Sequence, residues 1–204
     1  MMDGFARRKE QSKEEIRKAA WELFSQFGVE KVSIVDIAHK AGISQATIYN
    51  NFGSKEALAR EFVTSAIDQL VNRVQEVLSP EKPYWEKMAD FIRFLSEMMA
   101  QGKSSESDVK VFSSSYDLLN DPEIKKFRDT AQEKMTGLML KLVQEGKSQG
   151  QIRSDLSDDA FRFYFIAFGA IFTDPQFRQG YYRDPKLVQE LCSLMIHGMS
   201  GGNL

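Results

Sequence analysis

Cysteine occurs once in the 204 residues, at Cys192. No intramolecular disulfide can form, and a reducing cytoplasm is the expected setting. Five prolines and thirteen glycines are too few for a Pro/Gly-rich low-complexity chain. The longest uncharged apolar run, Phe163 to Phe172, has ten residues and is too short to span a bilayer. The opening MMDGFARRKEQ carries charges where a signal peptide needs an apolar stretch, so no membrane partner is expected. Histidine occurs only at His39 and His197, with no H-x-x-x-H spacing, no Cys/His ligand set, no Gly-rich phosphate loop and no G-x-S-x-G. Asp158-Asp159 are ordinary partners for the positive end of a helix. Neither catalytic residues, a metal site nor a cofactor is expected. The net charge of −2 also argues against a nonspecific nucleic-acid coat. Its distribution is uneven, however: nine Lys/Arg against seven Asp/Glu through Lys55, and eighteen against twenty-two afterwards.

What is present is helical periodicity. Ser12 to Glu15 has the form of a capping box, with Ser12 as the N-cap. Ile16, Ala19, Ala20, Leu23, Phe24 and Phe27 follow at steps of three and four, and Gly28 suits a left-handed cap. Ser33 opens a short helix on Ile34, Ile37, Ala38 and Ala41, Gly42 closes it, Ser44 caps a third and Ser54 a fourth to about Leu78. After Pro80 and Pro83, Trp85, Met88, Phe91, Phe94, Leu95 and Met98 share a helical face. A shorter helix is expected around Asp108–Leu119. Asp121-Pro122 opens one to about Ser148, the Phe-rich segment makes another, and Asp184-Pro185 opens the last. Period-two runs are missing, so the chain reads as all-α.

The stretch AGISQATIYNNFGSK, residues 41–55, holds little apolar material and many hydrogen-bonding side chains. A helix, a tight turn at Gly42 and a helix from Ser44 make a helix-turn-helix. With Ile48 directed at the core, Ala46 and Asn50 point away, Thr47 and Tyr49 flank them, and Gln45 projects from the N-terminal end. That outward face is small and amide-bearing, as needed to enter a major groove and read base edges. Ser44, Tyr49, Asn51 and Lys55 stand where they can donate to phosphates.

Residues 12–62 resemble the DNA-binding domain of the tetracycline-repressor (TetR) family. The matching elements are AAWELFSQFG, VSIVDIAHKAGIS and QATIYNNFGSKEAL, with T-I-Y-x-x-F-x-S-K-x-x-L the most specific. The resemblance implies DNA contacts from Ser33, Gln45, Ala46, Thr47, Tyr49, Asn50, Asn51 and Lys55. Family members often carry glycine where Ala46 stands and histidine where Asn51 stands. It also implies a helix-turn-helix domain over 1–55 and a larger helical domain over 56–204 that dimerises and binds a small molecule. The expected function is a dimeric regulator, a repressor, that leaves a double-stranded inverted-repeat operator when an effector binds.

Two apolar stripes lie on the Phe-rich helix. One is Phe161, Phe165, Phe168 and Phe172; the other is Ala160, Tyr164, Ala167 and Ile171. The first is expected to face the chain's own core. The smaller second stripe, with the last helix and its Leu187, Leu191, Leu194 and Met195, is expected to face a second copy. For the effector, Phe91, Phe94, Leu95 and Met98 form one expected wall, Phe112 and Tyr116 another, and Phe163 a third. Tyr116 and Ser113 are the polar anchors, and Met88 and Met99 add adaptable surface, so a largely apolar ligand is expected. Two other readings stay open at this point: a regulator with a filled core and no effector, or a helical small-molecule-binding or enzymatic protein with an incidental helix-turn-helix.

Overall fold

The computed structural model describes residues 4–79, 81–101, 121–173 and 185–200. They form α1 (Gly4–Phe27), α2 (Ile34–Ala41), α3 (Gln45–Phe52), α4 (Lys55–Val77), α5 (Tyr84–Gln101), α6 (Pro122–Ser148), α7 (Asp158–Thr173) and α8 (Pro185–Met199). There is no strand among the described residues, and the architecture is all-α. The chain divides into two compact units, Met1–Ile67 with Ser105–Arg128 and Asp68–Ser104 with Asp129–Leu204.

In the first unit, α1 turns Ile16, Ala19, Ala20 and Phe24 onto Ile37 and Ala38 of α2, Ile48 of α3, and Leu58, Ala59, Phe62 and Val63 of α4, all buried. The Phe62 ring meets Trp21 edge-on at 4.7 Å and Phe24 at 5.3 Å. Gly28, at φ 83°, ends α1, and its N–H bonds the Phe24 carbonyl at 2.9 Å. Two points depart from the sequence reading: Phe27, expected on the apolar stripe, is 46% exposed, and α1 starts earlier than expected. The helix begins at Gly4, so Ser12 lies inside it and caps nothing. The preceding residues include no proline to stop it, and Glu15 accepts instead from Gln11 at 3.2 Å, one turn away.

Arg60 of α4 pairs with Asp121 and Glu123 at the start of α6, at 3.2 and 2.7 Å. Asp121 is also the expected cap, accepting from the Glu123 and Ile124 N–H groups at 2.9 and 3.2 Å.

The second unit is built around Met88, Phe91 and Phe94 of α5, Met139 and Val143 of α6, Phe161, Phe165 and Phe168 of α7, and Cys192, Met195 and Met199 of α8. Burial raises the Cys192 thiol pKa, which keeps it protonated and inert. Lys87, almost fully buried, pairs with Glu145 across α5 and α6 at 2.6 Å. Gly146 sits so close to the Tyr84 ring that an added Cβ would come within 2.7 Å of it. Beyond α6, residues Gly150 to Asp155 fold into a tight turn. Gly150 adopts φ 71°, Gln151 N–H closes on the Gly146 carbonyl at 2.8 Å, and Arg153 grips Asp155 with two bonds. That fork holds the Asp155 carboxyl down at about 2. Asp158, a suspected dipole partner, also accepts from Lys147 and Gln144, both at 3.1 Å.

Two more side chains differ from their expected places. Trp85 is 66% exposed, at the outer edge of the α5 face whose Met88, Phe91 and Phe94 are buried. Phe163, expected as an inner wall, is 75% exposed. It falls off the buried stripe because Phe161, Phe165 and Phe168 already turn the inner face of α7 toward the core. Phe112, Ser113, Tyr116, Asp184 and the helix expected around 108–119 lie outside the described residues. So do the side chains of Met98, Met99, Ile171 and Phe172.

Candidate nucleic-acid interface

The interface begins with two caps. Ser33 closes a full capping box: its hydroxyl accepts from Asp36 N–H at 3.2 Å, while the Asp36 carboxylate takes the Ser33 N–H at 2.8 Å. The Ser33 hydroxyl also donates to that carboxylate, at 2.5 Å. These bonds, the hydroxyl's first, hold the Asp36 pKa below the usual carboxylate range. At the other end of α2, Gly42 adopts φ 67°, a backbone region costly for residues with a Cβ, and turns the chain toward α3.

Ser44 caps α3, accepting from Thr47 N–H at 3.1 Å and sharing a hydrogen bond with the Thr47 hydroxyl at 2.9 Å. Ile48 is the only fully buried residue of α3 and seats the helix on the first unit's core. Every other requirement of the outward face follows from that one anchor. Gln45, Ala46, Tyr49 and Asn50 are exposed, and Tyr49 retains 49% of its surface. Thr47 and Asn51 are half-buried. Asn51 spends one amide hydrogen on the Thr47 carbonyl at 2.8 Å and keeps a second to offer.

Ser33, Gln45, Tyr49 and Lys55 come together around an open cleft of about 500 Å³ between the starts of α2, α3 and α4. The positive ends of three helices and the Lys55 ammonium favour an anion there, while Glu30 and Glu56 also line the cleft. Ala46 and Asn50 stand apart from it, on the groove-facing side. Lys31 and Ser54 line the same cleft, although the sequence reading gave them no contact role. The signal for Lys31 was its charge two residues before Ser33. It went unread because the loop between α1 and α2 has no periodicity to orient it.

One cation–π contact reaches α3 from behind, and two ion pairs tie together the helices it rests on. Arg17 of α1 lies over the Phe52 ring at 5.7 Å and donates to Glu61 of α4 at 2.5 Å. Lys40 joins α2 to Glu22 of α1 at 2.6 Å. The result is an amphipathic wedge with amide and methyl groups outward and hydroxyl and ammonium donors at its edge. Such a surface has the shape and the donors that duplex DNA requires. No group of three or more His, Cys, Asp or Glu able to hold a metal occurs among the described residues. No described helix is long and apolar enough to cross a membrane.

The comparisons agree with this geometry. A family model described as "Bacterial regulatory proteins, tetR family" matches residues 16–62. The HTH-type transcriptional repressor KstR2 of Mycolicibacterium smegmatis is 26% identical over 152 residues, 74% of this chain and 73% of that one. Among solved structures, a SmeT–triclosan complex superposes with TM-score 0.65 at 15% identity, covering 94% of this chain and 93% of that one. FadR of Bacillus subtilis with stearoyl-CoA gives 0.58 at 18%, covering 92% and 99%. At these identities the structural matches show the fold alone. The capped wedge of α2 and α3 lies within the residues that match the tetR-family model, and this part of the chain is similar to the DNA-reading domain of bacterial transcriptional regulators.

Proposed function

We propose that the chain is a homodimeric, cytoplasmic repressor, without enzymatic activity, that grips an inverted-repeat operator with one α3 per half-site. In this reading residues 1–55 read DNA, and residues 56–204 dimerise and hold an effector. The observation that carries it is the outward face of α3: Gln45, Ala46, Tyr49 and Asn50 exposed over a buried Ile48. Gln45 and Asn50 supply amides for base edges, and Ala46 and the Thr47 methyl suit thymine methyls. Ser33, Ser44, Tyr49, Asn51 and Lys55 bind phosphates.

The test is selection of bound sequences from a random DNA pool with the purified chain at moderate salt. An enriched palindrome is expected. Gln45→Ala or Asn50→Ala should relax preference at one symmetric pair of positions, at a cost of about 1–3 kcal/mol. Tyr49→Ala and Lys55→Ala should weaken all sequences alike and flatten the salt dependence. Selection that yields no palindrome would overturn the reading.

The effector in this proposal is a largely apolar small molecule. Two proteins of like fold support it, one solved with triclosan and one with stearoyl-CoA. Phe91 and Phe94 are buried in the second unit and Leu95 is packed against them. Together with Met98, Phe112, Ser113 and Tyr116 they are the proposed walls and anchors. A ligand must favour the DNA-incompetent state by about 1–3 kcal/mol to matter. Apolar compounds that raise the melting temperature should therefore also release operator DNA. Release only by highly charged metabolites would count against this chemistry.

A further inference from the structure

Ile48, 0% exposed, seats the middle of α3 on the first unit's core, and Ser44 caps its start. The helix ends at Phe52, four residues and about 6 Å further along its axis. Phe52 is half-buried, and a cation covers its ring. The Arg17 guanidinium of α1 lies over it at 5.7 Å, within reach of a cation–π attraction. Carboxylates hold Arg17 there. Its Nε donates to Glu61 of α4 at 2.5 Å, and its Nη1 reaches Glu10 and Glu14 of its own helix at 3.2 and 3.5 Å.

The end of α3 suits such a charge. A helix is negative at its C-terminus and favours a cation there, yet α3 has no basic residue in its last turn. Lys55, three residues beyond Phe52, lines the cleft with Ser33 and Gln45. Arg17 thus brings from another helix the charge that α3 lacks.

The place of Asn50 follows from these two holds. At about 100° per residue it lies about 200° round the helix from both Ile48 and Phe52, and between them along the axis. Its exposed amide is therefore aimed by the pair. Gln45 lies before Ile48, at the capped end of the helix.

We propose that Arg17 is a positioning residue for DNA reading: braced by Glu61 and laid over Phe52, it sets the C-terminal half of α3 and with it the Asn50 amide. The inference rests on the DNA-reading function proposed above. Arg17 itself contacts neither base nor phosphate. Without it α3 still sits on Ile48 but tilts about it, which displaces Asn50 and spares Gln45.

The test repeats the random-pool selection with full-length Arg17→Met, which keeps an unbranched stem and removes the guanidinium. Preference should be lost at the positions that Asn50→Ala relaxes and kept at those that Gln45→Ala relaxes. Fluorescence anisotropy on the selected palindrome should show a loss of about tenfold, the scale of one displaced base contact. The salt slope should not change, because no phosphate contact is removed. Glu61→Ala should do the same, although it shifts the net charge in the opposite direction. The double variant should be little worse than either, because both changes break one brace. Arg17→Lys keeps the charge but lacks the planar fork, so it should resemble Arg17→Met. Rescue by lysine, additive losses in the double variant, equal loss at the Gln45 and Asn50 positions, or a flattened salt slope would each overturn the positioning role. So would an unchanged selection, or an Asn50→Ala that relaxes nothing. All of these leave the DNA-reading function standing. A wild type that selects no palindrome would overturn that function, and this inference with it.

Discussion

Ala167→Glu is expected to convert a dimer into monomers and to cut operator affinity by at least about a hundredfold. α7 presents an outward apolar face on which Phe163 is 75%, Tyr164 45% and Ile166 43% exposed, and Leu194 on α8 is 69% exposed. Exposed apolar side chains grouped on a helix are what an interaction site presents. Ala160 and Ala167, both exposed on the same helix, let a second copy approach closely. In a two-fold interface each substitution acts twice. Two buried, unpaired carboxylates at about 2 kcal/mol or more each would raise the dimer Kd by roughly a thousandfold. A monomer also loses the millimolar effective concentration that one bound half-site gives the other. Sedimentation at micromolar concentration checks the first effect and anisotropy on the palindrome the second. Because Ala167 is exposed within the chain, helix content should not change. A variant that sediments as the wild type does would overturn this interface, and a monomeric wild type would overturn the dimer.

Ile48→Ala should be the most damaging change in the DNA-reading region that touches no DNA. Its side chain is 0% exposed and is the single fully buried contact of the eight-residue α3. The caps at Ser44 and Gly53 define where the helix begins and ends but do not press it onto the body. Removing the anchor costs the transfer energy of three carbons plus a cavity, about 2–5 kcal/mol. For a chain of this length the melting midpoint should fall by roughly 4–20 °C. Operator affinity should fall more than for Gln45→Ala, and for all sequences equally, because a loosened α3 misplaces every contact together. Calorimetry and the selected palindrome give the two readings. A midpoint within a degree of the wild type would show that α3 is held by something other than Ile48.

Much of this was legible in the sequence, and the reason is local physics. The caps at Ser33, Ser44, Ser54 and Asp121 are short-range hydrogen-bonding devices, and each accepts from the N–H groups its spacing implies. Gly28 and Gly42 were readable because a left-handed cap admits few other residues. The outward face of α3 followed from one assumption, that Ile48 points inward, since the wheel then orders its neighbours. At Ser12 the same reasoning failed. A capping box marks a place where a helix can start, but it cannot stop one already under way from Gly4.

What the sequence by itself determined is the type, order and punctuation of the helices, because those depend on neighbours within four or five residues. The stripe of Phe161, Phe165 and Phe168 was also read as the inner face of α7, but whether a side chain beside such a stripe is covered depends on residues far apart in the chain, and for Phe163 and Trp85 only the tertiary structure decided. On α7 the pattern showed apolar side chains almost all round. Packing against α5, α6 and α8 selected Phe161, Phe165 and Phe168 for the core and left Phe163 outside. The cleft of Ser33, Gln45, Tyr49 and Lys55 is of the same kind. Its members come from three helix starts, and nothing short of the packed first unit brings Lys31 beside them, since a loop has no period from which direction can be read.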